Sequence, residues 1–233
     1  LKVIKSFSKF QNAPELFERF SSFAFISTAK KMGIELPKIK GDKPQVIAIP
    51  QNEYQKQKIN EIVKRWENPQ DIKRDNKLNL VSEATKLVIH PQLLENEAPN
   101  DVNNKLNVAV KNISNIYFLN KDRNQLVLCD IDKSSSSDFS VYNYLVKRLV
   151  EEGIKKEEIV VINKIPKSLI PEIISKFNEG KYKVIIGSTK KLGEGVNIQK
   201  KLYAAHFIDI PWTPAEMEQR LGRIIRQGNE NKE

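Results

Sequence analysis

The chain has 233 residues, of which 39% are hydrophobic and 29% charged, a composition that fits a globular protein of one large domain or two small ones. It contains no run of the ~18 apolar residues that a membrane span requires. Its single cysteine, Cys129, excludes an internal disulfide, and no leader sequence is evident. These features predict a cytoplasmic protein. The formal charge of +10 favours a polyanionic partner, and most of the excess lies in residues 1–80, where 16 basic minus 9 acidic residues leave +7.

The first 75 residues predict helices joined by an extended segment. Residues 1–45 are rich in phenylalanine and predict a helical extension, with a helix after Pro14 whose apolar side carries Leu16, Phe20, Phe23 and Ser27. Residues 46–75 predict a connector, in which the run Val46–Ile49 forms a strand and residues 53–66 form a polar helix.

From residue 76 onward the pattern changes to helices that alternate with short apolar strands. The predicted helices lie at 79–90, 105–119, 140–152, 168–179 and 189–199, and the predicted strands at 125–131, 159–162, 183–186 and 204–210. The serine run at 134–137 predicts only a mobile loop, and Gly153 predicts a left-handed helix end. This alternation is typical of a buried parallel sheet, so we predict an α/β domain over residues 76–233, with a parallel sheet flanked by helices.

The segment TPAEMEQRLGRIIR, residues 213–226, predicts a capped helix that carries a pair of arginines. Thr213 and Glu216 form a capping box at its start. Gln219, Arg223 and Arg226 recur at spacings of four and three, which predicts that they share one face of the helix. Two neighbouring guanidinium groups suit a phosphate chain, because each planar fork binds two oxygens. A solvated charged face is the alternative interpretation of this pattern.

The segment GSTKKLGEGVN, Gly187–Asn197, directly follows a predicted strand. The carboxyl end of a parallel strand is where α/β sheets bind ligands, and glycines there let backbone amides approach phosphate oxygens. An ordinary tight connection is the alternative. Asp130 and Asp132 end the first predicted strand and are candidates to face the same cleft. Cys129 and the two histidines lack the paired spacing of a zinc site, so no metal site is predicted.

In these motifs the chain resembles the second motor lobe of superfamily 2 helicases, specifically the Swi/Snf-like translocases and their phage and mobile-element relatives that are fused to DNA methylases. GSTKKLGEGVN is similar to motif V of that family, HFIDIPWTP to the strand and turn that follow, and QRLGRIIRQGN to motif VI with its arginine finger. FSSFAFISTAKKMGIELPKIK is similar to the end of the first lobe, which makes residues 1–45 a helical tail of that lobe. QVIAIPQNEYQKQKI is similar to the connection between the lobes, and IHPQL to the start of the second lobe. The implied fold is a RecA-like lobe.

The resemblance also implies roles for individual residues. The residues implied to reach the γ-phosphate are Arg223 and Arg226; those implied to lie near the nucleotide are Gln219, Gly195 and Asn197; those implied to contact nucleic-acid phosphates are Ser188, Thr189 and Lys190. The implied ligands are ATP with Mg²⁺, bound mainly by the first helicase lobe of the same parent protein, and DNA, most often duplex. Phosphate contacts position a strand without reading its bases.

Two departures from the family pattern limit the activity that we expect of this chain. It contains no GxxxxGK[ST] phosphate loop and no Asp-Glu pair after an apolar strand to hold Mg²⁺. We therefore expect a fragment that is inactive alone, because the phosphate loop and the metal position the reacting groups. The alternative is a non-enzymatic DNA-binding module that uses the basic first 80 residues. A methylase is disfavoured, because the Asn-Pro-Pro-aromatic motif of amino-methyltransferases is absent.

Overall fold

The computed structural model describes residues 12–25, 27, 31–71, 73–193 and 196–232. The chain divides into two compact units, Leu1–Leu36 and Pro37–Glu233. In the first unit, helix α1 (Ala13–Ser21) begins beside Pro14 as predicted, and none of its residues is buried. Phe23 and Ser27 lie beyond its end, so the predicted four-residue apolar face is wrong. The hydroxyls of Ser21 and Ser22 bond back to backbone carbonyls of the last turn, which competes with continuation of the helix.

The second unit opens with two packed helices, α2 (Glu53–Glu67) and α3 (Lys77–Ile89). Ile62 of α2 packs with Leu80 and Leu87 of α3 in a small hydrophobic cluster. The predicted helices are thus confirmed, but the predicted strand before them is wrong. Residues 46–49, all of them described, belong to neither sheet, and Val46 is 88% exposed. A β-branched run becomes a strand only where another strand pairs with it. The predicted domain boundaries at residues 45 and 75 remain predictions.

The remaining helices and strands alternate along the chain. In order they are α4 (Lys105–Leu119), β1 (Asn124–Leu128), β2 (Lys133–Ser134), β3 (Ser137–Ser140), α5 (Val141–Glu151), β4 (Ile159–Val161), α6 (Ile170–Glu179), β5 (Val184–Gly187), α7 (Thr189–Gly193), β6 (Leu202–Phe207) and α8 (Pro214–Ile224). The main sheet has the strand order β4-β5-β1-β6, and each neighbouring pair is parallel. The predicted parallel sheet flanked by helices is confirmed. In the described part of the chain, no helix combines the length and the apolar character needed to cross a bilayer.

Helices cover both faces of this sheet. Along β1, Leu126 and Leu128 pack in one cluster with Phe177 of α6, whereas Val127 packs in a second cluster with Leu145 of α5. This division follows from the strand geometry, because successive side chains point to opposite faces. Burial on both faces explains why the strands are apolar runs rather than alternating patterns.

Two connections differ from the prediction. The serine run forms an antiparallel hairpin, in which Lys133 of β2 pairs with Ser140 of β3. The Asp132 carboxylate closes this hairpin, since it accepts hydrogen bonds from the Ser140 hydroxyl at 2.7 Å and the Tyr142 amide at 2.9 Å. The helix predicted over 189–199 extends only from Thr189 to Gly193, and residues 196–199 are irregular.

Candidate functional site

Three neighbouring strands end at one edge of the main sheet and bring together residues that are far apart in the sequence. Asp130 lies just beyond β1, Ser188 and Thr189 follow β5, and Asp209 lies just beyond β6. The register places the last residue of β1, Leu128, beside the last residues of both β5 and β6. The predicted glycine-containing loop therefore lies at the carboxyl edge, where open α/β sheets bind ligands.

Arg220 of α8 joins two of these strand ends from a buried position. It is only 2% exposed, and its Nη1 donates to the backbone oxygen of Asp209 at 2.9 Å and to Asp209 Oδ1 at 3.2 Å. Its Nη2 donates to Asp130 Oδ2 at 2.5 Å. The second carboxylate oxygen of Asp209 accepts the backbone amides of Asp130 and Ile131. Arg220 thus fixes α8 against the ends of β1 and β6.

The sequence prediction missed Arg220, although the sequence contains a signal for it. Arg220 lies three residues after Met217 and four before Ile224, so it falls on the apolar side of the predicted helix. A cation on the buried side of a helix requires a buried acid, because an unpaired charge is strongly disfavoured there. Asp209, which directly follows the apolar residues of β6, is the acid that the structure supplies.

Lys105 adds a second cation close to Asp209. Its Nζ donates to the backbone oxygen of Ile208 at 3.3 Å. Burial lowers the pKa of the Lys105 ammonium, and the nearby Asp209 carboxylate opposes that shift. The negative charge of Asp209 therefore lies near two cations, of which only Arg220 contacts the carboxylate directly.

The two hydroxyl residues after β5 are already hydrogen-bonded to neighbouring strand ends. The Thr189 amide and hydroxyl donate to the two carboxylate oxygens of Asp130, at 2.6 Å and 2.9 Å. The Ser188 amide donates to Asn163 Oδ1 at 2.9 Å, and the Ser188 hydroxyl accepts from Asn163 Nδ2 at 3.1 Å. These bonds hold the loop across β4, β5 and β1.

Gly187 is required for packing. A Cβ atom at this position would lie 2.3 Å from Ile162 Cγ2 and 3.0 Å from Leu192 Cδ1. The first glycine of the segment therefore makes room for the side chain that follows β4. Gly195, which was predicted to lie near the nucleotide, is outside the described residues.

Arg223 lies in the last turn of α8 and is partly buried. It lines a small cavity together with Leu128, Leu192 and Ile224. Its Nη1 atom is buried and has no hydrogen-bond partner among the described residues. An unpaired buried donor costs roughly 1–3 kcal/mol, and among the described residues nothing satisfies this nitrogen.

Arg226 lies beyond the helix, which corrects the prediction that it shares a helical face with Arg223. The helix ends at Ile224, and Ile225 leaves the helical conformation with φ −85° and ψ 80°. Arg226 is exposed, and its Nη1 donates to Asn197 Oδ1 at 2.8 Å. Asn178 also donates to the Asn197 carbonyl, which holds this segment away from a helical path. The capping box of Thr213 and Glu216 is confirmed.

The other predicted residues lie on the surface. Lys190 lines a groove of about 890 Å³ that runs between α6 and the loop after β5. Lys167, Lys191 and Ser188 also line this groove, and its floor includes apolar side chains of α6. Gln219 is exposed, and none of the described residues forms a hydrogen bond with its side chain.

The donors of Arg223 and Arg226 fit a phosphate group better than a metal ion, because guanidinium groups donate hydrogen bonds to phosphate oxygens and do not ligate cations. Nη1 of Arg223 has no hydrogen-bond partner among the described residues, and Arg226 is exposed beyond the end of α8. Across the described ranges, no group of three or more His, Cys, Asp or Glu side chains is arranged to hold a metal ion.

Comparison with known proteins identifies the family. The profile described as "Helicase conserved C-terminal domain" matches residues 108–228, just over half of the chain. The chain belongs to the helicase C-terminal domain family. The match includes β1, the glycine-containing loop after β5 and all of α8, and the parallel sheet flanked by helices agrees with the predicted RecA-like lobe.

Three of the similar proteins are described as an ATP-dependent helicase, part of an ATPase domain and a helicase domain. A stretch of 53 residues is 47% identical to the "Uncharacterized ATP-dependent helicase YqhH" of Bacillus subtilis (strain 168), and it covers 22% of this chain and 9% of that protein. The solved C-terminal part of the Fun30 ATPase domain aligns over 97% of this chain and 71% of its own, with 17% identity and a TM-score of 0.45. The Pyrococcus furiosus Hef helicase domain aligns over 76% of this chain and 33% of its own, with 16% identity and a TM-score of 0.41.

Proposed function

We propose that this domain is the second motor lobe of an ATP-dependent DNA helicase or translocase. It would supply arginines to a nucleotide bound mainly by a first lobe of the same parent protein, and phosphate contacts to duplex DNA. The observation that carries the proposal is the meeting of the loop after β5 with α8 at one sheet edge. Arg220 fixes the helix to the strand ends, and Asp130, which Arg220 contacts, also accepts hydrogen bonds from Thr189 of the loop.

The nucleotide side of the proposal depends on Arg223 and Arg226. A phosphate oxygen would satisfy the buried Nη1 of Arg223, which has no hydrogen-bond partner in the part of the chain that the structure describes. Arginines of this kind stabilise the charge that develops on a transferring phosphoryl group, and where they have been tested they increase the rate by about 10³–10⁵. This sequence has no phosphate loop, so we expect no hydrolysis by the chain alone.

The nucleic-acid side depends on the groove between α6 and the loop after β5. Lys167, Lys190 and Lys191 give this groove positive charge, and Ser188 adds a hydroxyl. Lysines and hydroxyls bind phosphates without reading bases, so binding should depend little on sequence and strongly on salt. The Swi/Snf-like subtype, and the occurrence of the lobe in phage or mobile-element methylase fusions, are proposed on the motif resemblance alone.

ATP hydrolysis by the parent polypeptide that carries the first lobe tests the nucleotide side. We expect DNA-stimulated turnover that falls at least a hundredfold in Arg223→Ala and in Arg226→Ala. Arg123→Ala is the matched control, because Arg123 lies just before β1, at the opposite edge of the sheet. Unchanged turnover in both variants would refute the role that we assign to these two arginines.

The alternative function is that of a DNA-binding module without enzymatic activity, and the +7 charge of residues 1–80 favours it. The two functions differ in their dependence on nucleotide. A binding module would hold duplex DNA equally well with and without ATP, and neutralising the lysines of residues 1–80 would abolish binding. A motor lobe would bind DNA mainly through the groove, so Lys190→Ala with Lys191→Ala would weaken binding instead.

A further inference from the structure

Asp130 accepts hydrogen bonds from both the backbone amide and the hydroxyl of Thr189, a residue that is proposed to bind nucleic acid. One carboxylate oxygen accepts the Thr189 amide at 2.6 Å, and the other accepts the Thr189 hydroxyl at 2.9 Å. A phosphate oxygen that approached Thr189 would need those same two donors. The chain therefore already places an anion where the proposed ligand would bind.

The same carboxylate also contacts the arginine helix. Asp130 Oδ2 accepts from Arg220 Nη2 at 2.5 Å. The side chain of Asp130 is 43% exposed, whereas that of Arg220 is 1% exposed. Arg220 also donates two hydrogen bonds to Asp209, neither of which involves Asp130. Asp130 is thus the part of the network that solvent and a ligand can reach, and it links the loop after β5 to α8.

We propose that Asp130 is a positioning residue that occupies Thr189 until a nucleic-acid phosphate displaces it. This inference rests on the proposed nucleic-acid role of the loop. Two anions cannot share the two donors of Thr189, so binding of a phosphate breaks the bonds between Asp130 and Thr189. The displaced carboxylate keeps Arg220 as its partner, and its movement changes the environment of α8. Binding of nucleic acid at the loop after β5 thereby affects α8, the helix that carries Arg223.

The affinity of the 233-residue chain for a labelled random-sequence DNA duplex at low salt is the first test. Removing the competing charge in Asp130→Asn or Asp130→Ser should tighten binding about fourfold, the size of one like-charge repulsion across ~5 Å at the dielectric constant of water. Asp138→Asn makes the same change in net charge in the exposed hairpin and is the control, with less than a twofold effect expected. Asp130→Glu keeps the charge and should not tighten binding.

Amide hydrogen exchange of α8 is the second test. Duplex binding should change the exchange of amides 214–224 in the unmodified chain, and the change should be much smaller in Asp130→Asn, because the link to Arg220 no longer carries a charge. A merely structural role for Asp130 predicts weaker binding in the variants and the same exchange response in all of them.

The outcomes separate this inference from the proposed function. If neither the unmodified chain nor any of the variants binds the duplex, the proposed function fails. If the chain binds but folded Asp130→Asn and Asp130→Ser show unchanged or weaker affinity, the role of Asp130 is refuted and the proposed function stands. Loss of the fold in both variants would also refute it, because a carboxylate that is displaced during binding cannot be indispensable to the fold.

Discussion

Replacement of Arg220 by alanine tests whether α8 is fixed by a buried ion pair. The substitution removes both bonds to Asp209 and the bond to Asp130, and it leaves the 5%-exposed Asp209 without its contacting cation. Breaking a buried pair by removing one partner costs about 3–5 kcal/mol, because the remaining charge stays buried and uncompensated.

The structure places the expected loss near the lower end of that range. Asp209 keeps the two backbone amides of Asp130 and Ile131, and Lys105 remains nearby to offset part of its charge. Asp130 is half-exposed, so water can solvate it once Arg220 is gone. We therefore expect the free energy of unfolding to fall by about 3 kcal/mol.

Urea unfolding followed by circular dichroism measures this loss. Arg148→Ala is the matched control, because the pairs of Arg148 with Glu151 and Glu152 lie within one helix turn at the surface, and such pairs contribute less than about 1 kcal/mol. A loss below 1 kcal/mol in Arg220→Ala would refute the conclusion that this ion pair holds α8 against the sheet. Arg220→Lys should recover part of the loss, since it restores the charge without the fork.

Two further predictions concern stability. Gly187→Ala should lower the free energy of unfolding by about 1–3 kcal/mol, because the new Cβ clashes with Ile162. Gly222→Ala is the control, because the space around its Cβ is open, and it should leave the free energy of unfolding unchanged or raise it. Equal effects of the two substitutions in urea unfolding would contradict the packing role of Gly187. His90 is buried, and burial lowers its pKa from 6.5 to about 4. The unfolded chain takes up this proton at the higher pH, so stability should fall as the pH drops from 6.5 to 4, by about 3 kcal/mol for this group. His90→Gln should flatten that fall, and an identical pH profile in the variant would refute the assignment.

Local signals in the sequence were sufficient for most of the helices. The helix at 105–119 is found at its predicted bounds, and Gly153 ends its helix with a φ of +96°. The apolar runs after residue 124 predicted the parallel sheet, because strands buried on both faces carry no polar alternation. Capping boxes and helical periodicity act within a few residues, so a single chain segment contains the information they need.

The failures share a physical cause, which is that each depended on contacts with residues outside the segment itself. Residues 46–49 have the composition of a strand but pair with no strand. The serine run becomes a hairpin because Asp132 closes its base. The helix after β5 is short in a segment where Asn197 is held by Asn178 and Arg226.

The sequence by itself determined that this chain contains an α/β lobe with a glycine-containing loop after a strand and a capped helix that carries arginines, because propensity, periodicity and capping are local. Only the tertiary structure decided which arginine is buried, where Arg226 leaves the helix, and that Asp130 bonds Thr189 and Arg220 together. Those contacts join residues 59 and 90 positions apart, and their strength depends on burial and on the positions of the strand ends. No pattern within a single segment encodes that geometry.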